Sequence, residues 1–295
     1  MNPSSKVLKE SFPVVCQVLP ALEPGGMEQV ALELVRYRCD VAGPERNVVF
    51  CTDSPGAWYH RLTVPAACGY RRIGAWGFDV RLVMRLVRFI RVNRVDVLHA
   101  HNARAGLYAG LAGRITGCRV VVTFHGEGVV SGHPTRFLLR IISRLADRVA
   151  VVSHRVGKRL EAQGLVPAGK IRVVLNGVDT RVFRPADNPV AIRAAVRSEP
   201  GFTAEHLLLG TAGRLSPEKD QAMLIRAVGR MVRVVDVTVC LMIAGEGSCR
   251  ALLEQVVGSE GLGLVVRFCG QRDDMADWYR ALDGFVMTSR TEGLP

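Results

Sequence analysis

The chemistry in this chain concentrates in short turns. Gly213-Arg214-Leu215-Ser216-Pro217-Glu218-Lys219 sets two cations around Ser-Pro-Glu, the composition of a helix start. The positive end of a helix disfavours cations and attracts anions, so a bound anion is the natural partner for that pair. Glu23-Pro24-Gly25-Gly26-Met27-Glu28 is a second such turn: two glycines let backbone approach an anion, and the helix that follows supplies free N–H groups. Ser289-Arg290-Thr291-Glu292-Gly293-Leu294-Pro295 brings a cation and a carboxylate together after an apolar strand. His99, His101, His125 and His154 fall at or just past the carboxyl ends of predicted strands, where open α/β sheets bind ligands. No carboxylate or cysteine accompanies them at ligand spacing and no DxD is present, so the histidines predict polar substrate contact and no metal site.

Two other patterns fail on context. Gly164 to Lys170 has the spacing of a phosphate-binding loop, but Ile171 follows where magnesium needs Ser or Thr, and the helix precedes the strand. Gly245-Glu246-Gly247 opens like a dinucleotide fingerprint, yet Arg250 holds the third glycine position and no acid lies about 20 residues on. A phosphate-proximal turn remains, without a nicotinamide cofactor.

The elements that position these turns are short apolar runs alternating with amphipathic stretches. Val14–Leu19, Asn47–Cys51, Val95–Leu98, Arg119–Phe124, Arg148–Val152 and Ile171–Leu175 read as strands buried on both faces of a parallel sheet. Met27–Tyr37, Phe78–Asn93, Arg136–Ala146 and His154–Gln163 read as helices between them, Gly164 supplying a left-handed cap. Arg184 to Pro189 is a Pro/Asn/Asp linker, after which strands restart at Leu207–Thr211, Thr238–Ala244, Val265–Phe268 and Gly284–Thr288. The expected organisation is α/β: a Rossmann-like domain over 1–184, a linker at 185–189, and a second Rossmann-like domain over 190–295.

Composition agrees with a soluble globular chain, 48% hydrophobic and 22% charged over 295 residues. No apolar run reaches the ~20 residues of a membrane span, and the first twenty residues lack a secretory pattern. The eight cysteines never fall at CxxC spacing and read as reduced, mostly buried thiols, which together predicts a cytoplasmic protein. The net charge of +12 is lopsided. Residues 1–184 carry 27 basic against 13 acidic side chains, and the remainder is slightly acidic. Arg81, Arg85 and Arg88, and Arg136, Arg140, Arg144 and Arg148, follow helical spacing opposite apolar stripes. This predicts contact with an anionic membrane surface, peripheral at its inner face.

Taken with Thr123-Phe124-His125-Gly126 and Leu175-Asn176-Gly177-Val178-Asp179, the four turns resemble the family 4 retaining glycosyltransferases of the GT-B fold, across essentially the whole chain. The resemblance implies two Rossmann-like domains facing a cleft, the first on the acceptor side and the second holding the nucleotide-sugar. It implies transfer of a sugar from a UDP- or GDP-linked donor to a glycan or lipid-linked acceptor, with retention and without metal or other cofactor. By the same resemblance Arg214 and Lys219 hold the diphosphate, Gly25 and Gly26 close over it, and Glu292 contacts donor-sugar hydroxyls. Glu246 and the Cys269–Met275 loop lie near the nucleoside, and His125 beside the transferred sugar. Charge developing on the leaving diphosphate then meets fixed cations and amide dipoles. The family pattern also has a second glutamate, which here falls at position 300. The expectation is therefore a C-terminally truncated second domain and an inactive fragment.

Two other readings compete: a sugar-nucleotide epimerase on the same fold, and a basic nucleic-acid-binding α/β module. The latter lacks stacking platforms, with only 6% aromatic residues, so nucleic acid is not expected as a partner.

Overall fold

The computed structural model describes residues 12–71, 78–126 and 133–292. Chain contacts divide it into two units between Asn176 and Gly177. In the first unit seven parallel strands lie in the order β3-β2-β1-β4-β5-β6-β7. They are β1 (Val15–Leu19), β2 (Asn47–Cys51), β3 (Ala66–Cys68), β4 (Val97–Ala100), β5 (Arg119–Phe124), β6 (Arg148–Val151) and β7 (Ile171–Val173). Helices α1 (Gly26–Ala42), α2 (Val80–Val92), α3 (Ala103–Thr116), α4 (His133–Leu145) and α5 (His154–Ala162) connect them. The strand order reverses direction between β1 and β4, which makes the carboxyl ends of those two strands the switch point.

Strands β1 and β2 are buried at every residue, as a sheet covered on both faces requires. Helix α2 buries Leu82, Val83, Leu86, Val87 and Ile90, one stripe at helical period, each contributing about 2 kcal/mol by leaving water. Asp79 caps it, accepting from the Arg81 and Leu82 N–H groups. Helix α3 packs differently. A Cβ on Gly113 would stand 2.4 Å from Val120, and one on Gly110 would stand 2.7 Å from Leu145, so small residues let this helix lie close to the sheet and to α4.

The second unit holds α6 (Pro189–Ser198), β8 (Leu207–Ala212), α7 (Gln221–Val232), β9 (Val239–Ala244), α8 (Arg250–Ser259), β10 (Val266–Gly270), α9 (Met275–Ala281) and β11 (Gly284–Phe285). Its four described strands are parallel in the order β10-β9-β8-β11, with the switch point between β8 and β11. Arg197, only 1% exposed, donates to the carbonyls of Ala281, Thr203 and His206 and to the Asp283 carboxylate. Asp283 also accepts from the Leu208 N–H at 2.7 Å, tying the start of β11 to β8. Burial raises the pKa of that carboxyl, but the Leu208 N–H and the guanidinium groups of Arg193 and Arg197 outweigh it and leave it below the ordinary value. The first unit repeats the device: Asp96 accepts from Val14 N–H, and Asp147 from Val120 N–H, both at 2.8 Å.

Three sequence expectations need correction. Helix α4 ends at Leu145, so Arg148 opens β6 and does not continue the arginine stripe. Ser216 does not cap the α-helix of the second unit. A 3-10 turn at Pro217–Lys219 and a left-handed Asp220 intervene before α7 begins at Gln221. Of the eight unpaired cysteines, only Cys16, Cys51 and Cys240 are buried, and five are half-exposed. Lys170, the lysine of the rejected phosphate-loop pattern, instead donates to the carbonyls of Ser143 and Ala146 just where α4 ends.

Candidate functional site

Each unit carries polar side chains at its own switch point. In the first, Gly25 is the N-cap of α1, extended in conformation and with no side chain capping the helix, so the turn keeps N–H groups for an anion. Among the described residues nothing lies within 4 Å of where a Cβ on Gly26 would sit, so the space over the turn is open. Gln17 in the middle of β1 meets His101, whose Nε2 lies 2.7 Å from Gln17 Oε1. His101 Nδ1 lies 3.0 Å from His125 Nε2, and His99 Nε2 lies 2.7 Å from Thr123 Oγ1. His99 and His101 pack ring against ring, centroids 4.3 Å apart. Burial lowers all three imidazoles: His99 to about 4, with His125 and Arg38 adding to the effect, and His125 also to about 4. His101 falls well below 6.5 through burial and its two histidine neighbours. The cluster is neutral at pH 7. His154, read with these three from sequence, stays exposed at the start of α5.

In the second unit the switch point is charged. Lys219 Nζ lies 2.5 Å from Glu292 Oε1, a charge-assisted contact between groups 73 residues apart in sequence. Arg290 donates from its backbone to the Glu218 carbonyl and from its guanidinium to the Asp220 carboxylate, both at 2.8 Å. Thr288 Oγ1 donates towards the carbonyls of Lys219 and Asp220. The segment after β11 is thus fastened onto the segment after β8. Arg214 is exposed.

The GxG turn after β9 completes this end of the sheet. Gly245 has φ of +126°, and a Cβ there would stand 2.0 Å from the Gly213 carbonyl oxygen. Backbone hydrogen bonds join Leu215 N–H to the Glu246 carbonyl and Cys249 N–H to that of Leu215. Glu246 is exposed and pairs with Arg250, and a Cβ on Gly270, at the start of the Cys269–Met275 segment, would meet its carboxylate at 3.2 Å. Arg214, Lys219, Glu246 and Glu292 therefore belong to one end of the second sheet, and Gly25, Gly26 and His125 to the corresponding end of the first. Gly293, Leu294 and Pro295 of the last motif lie outside the described residues. No group of three or more His, Cys, Asp or Glu among the described residues is placed to hold a metal ion.

Residues 24–182, more than half of the chain, match the family model Glycosyltransferase Family 4. The chain belongs to glycosyltransferase family 4. Residues 206–295 match a second model, Glycosyl transferases group 1. This family 4 chain is 30% identical over 232 residues to the D-inositol 3-phosphate glycosyltransferase of Streptosporangium roseum, covering 71% of the chain and 52% of that relative. It is 25% identical over 280 residues to an Escherichia coli protein, UDP-Gal:alpha-D-GlcNAc-diphosphoundecaprenol alpha-1,3-galactosyltransferase, covering 91% and 68%. The chain spans about half the length of the first of these curated relatives. Among solved structures, Anabaena HepE in complex with UDP and glucose gives a TM-score of 0.79 at 22% identity, covering 94% of this chain and 74% of that one. Sucrose-phosphate synthase from Thermosynechococcus elongatus gives 0.73 at 16%, covering 95% and 77%. These likenesses establish the GT-B fold.

Sequence reasoning missed Gln17, whose signal is a lone amide in the otherwise apolar strand Val-Cys-Gln-Val-Leu. It also missed Asp220 and Thr288, which hold the two loops of the second switch point together.

Proposed function

We propose that the chain transfers a sugar from a UDP- or GDP-linked donor to a glycan or lipid-linked acceptor, with retention and without a metal. Residues 1–184 form the acceptor-side domain, 185–189 the linker, and 190–295 the nucleotide-sugar domain. The observation that carries this reading is the charged switch point: Arg214 exposed, Lys219 anchored by Glu292, and both on a glycine-lined turn. Fixed cations of this kind stabilise the charge that develops on a departing nucleoside diphosphate. Arginine offers a planar fork to phosphate oxygens and lysine a compact charge. Glu246 stands towards the nucleoside and Glu292 towards the donor-sugar hydroxyls. In the first unit Gly25 and Gly26 offer amides to the diphosphate, and His125 meets the sugar.

The lipid-linked side of the reading draws support from the Escherichia coli relative, named for a diphosphoundecaprenol acceptor, and from α2, α3 and α4. Those three helices contain nine arginines and no aspartate or glutamate. Phe78, Val80, Met84, Ile115 and Phe137 are exposed around them. No helix among the described residues is long and apolar enough to cross a membrane. The proposed location is the cytoplasmic face of an anionic membrane, held peripherally by this arginine-rich surface.

Incubation of the protein with UDP- and GDP-sugars and a polyprenyl-diphosphate sugar acceptor tests the reading. The expected outcome is a glycoside of retained anomeric configuration, formed equally with EDTA present. An isomerised sugar nucleotide formed without acceptor would replace transfer by epimerisation.

A further inference from the structure

We propose that Gln17 and His101 are positioning residues that put the proton of His125 on Nε2 and keep its Nδ1 a bare hydrogen-bond acceptor, suited to a sugar hydroxyl and not to a phosphate oxygen. The inference deepens the proposed function and rests on it for the identity of the ligand.

The argument is a chain of donors and acceptors. An amide oxygen only accepts, so the 2.7 Å contact at Gln17 Oε1 requires the proton on His101 Nε2. A neutral imidazole has one N–H, which leaves His101 Nδ1 as an acceptor. The 3.0 Å contact then requires His125 Nε2 to donate, and His125 Nδ1 is left without a proton. That nitrogen is buried and has no hydrogen-bond partner among the described residues. A positive charge on rings this close and this buried is unfavourable, so each ring keeps a single proton. Gln17 is 2% exposed and His101 fully buried, so water does not compete for the contacts that set the order. Gln17 comes from β1, His101 from the end of β4 and His125 from the end of β5, so the sheet itself fixes the spacing.

A bare nitrogen accepts from a hydroxyl and offers nothing to a phosphate oxygen, which needs a donor. The atom is covered in this structure, so a hydroxyl reaches it after a local shift of the covering atoms, and the unpaired acceptor favours that shift. The relay thus suits a hydroxyl, whereas the cations of the second unit suit a phosphate.

Long-range 1H–15N spectra of the 15N-histidine-labelled chain, assigned with His101→Asn and His125→Ala, report which ring nitrogen carries each proton. Wild type is expected to show His101 and His125 neutral at pH 7 with protons on Nε2. A proton on Nδ1 of either ring overturns the relay, whatever the activity. Gln17→Leu should give mixed tautomers at both rings, while Gln17→Glu, which still accepts, should restore the order. Unmixed tautomers in a folded Gln17→Leu protein would remove Gln17 from the relay. In transfer assays Gln17→Leu is expected to lower kcat about tenfold with nucleotide KM within about twofold, the scale of one hydrogen bond. Correct tautomers with unchanged kcat would leave the relay standing and remove the sugar contact.

Discussion

The two sheets of this chain finish their switch points with opposite chemistry. At the first, between β1 and β4, buried uncharged rings donate in sequence, His125 to His101 and His101 to the Gln17 amide oxygen. At the second, between β8 and β11, Lys219, Glu292, Arg290 and Asp220 form ion pairs around a glycine-lined turn. Both places are where an open parallel sheet leaves its loops free to bind. Topology supplies the place in both units, and under the proposed function the side chains decide the ligand. Neutral groups at fixed angles discriminate hydroxyls, while cations at a solvent-facing turn gather phosphate.

The largest expected effect comes from pushing the charged turn apart. Gly245→Ala places a methyl against the Gly213 carbonyl at a φ that side chains rarely adopt, a backbone strain of roughly 1–3 kcal/mol before the clash is counted. Binding of UDP and GDP, followed by calorimetry, should vanish while the neutral cluster keeps its imidazole spectrum. Unchanged nucleotide binding would show that the close approach of these two turns has no part in holding phosphate.

The neutral cluster has its own signature in pH. Unfolded histidines take up protons near pH 6.5, whereas His99 and His125 in the folded chain do so only near 4. Between those values the unfolded state holds more protons, so stability falls as pH falls, by about 1.4 kcal/mol per pH unit for each histidine. Stability is full above pH 6.5. Urea unfolding at pH 7, 6 and 5 measures it, and His125→Ala should flatten the slope by one histidine's share. A wild-type stability independent of pH in this range would mean the cluster carries charge after all.

A smaller effect concerns the basic helix surface of the first unit. Each arginine near an anionic bilayer contributes about 1 kcal/mol, so Arg140→Ala should weaken sedimentation with phosphatidylglycerol vesicles about fivefold and leave nucleotide binding alone. Arg85 should matter less, since its guanidinium already donates to the Gly69 carbonyl. Equal binding of wild type to neutral phosphatidylcholine vesicles would exclude an electrostatic attachment.

Much of the fold was legible where burial was written in β-branched residues. Strands β2 and β5 have the bounds the sequence predicts, because Val-Val runs flanked by polar residues suit a sheet covered on both sides. Helix α3 is hard to read because its buried face is alanine and glycine, chosen for close approach and carrying little periodic contrast. Strand β3 has only three residues and a half-buried pattern. In the second unit, motif spacing pointed to Arg214 and Lys219 but not to the pairing of Lys219 with Glu292, which depends on β8 and β11 being neighbours in the sheet. Gln17 is the subtler case. A polar residue inside a buried strand must have a partner, and His101, just past the end of the neighbouring strand β4, supplies it.

The central claim, that the second switch point holds a nucleoside diphosphate through Arg214 and Lys219, is tested most directly by calorimetric titration of UDP and GDP into wild type, Arg214→Ala and Lys219→Ala at low and high salt. For at least one nucleotide, each variant should bind at least about tenfold more weakly, the scale of one charge-assisted hydrogen bond, with melting temperature unchanged and with wild-type affinity falling as salt rises. Wild-type affinity in both folded variants, or binding indifferent to salt, would contradict it.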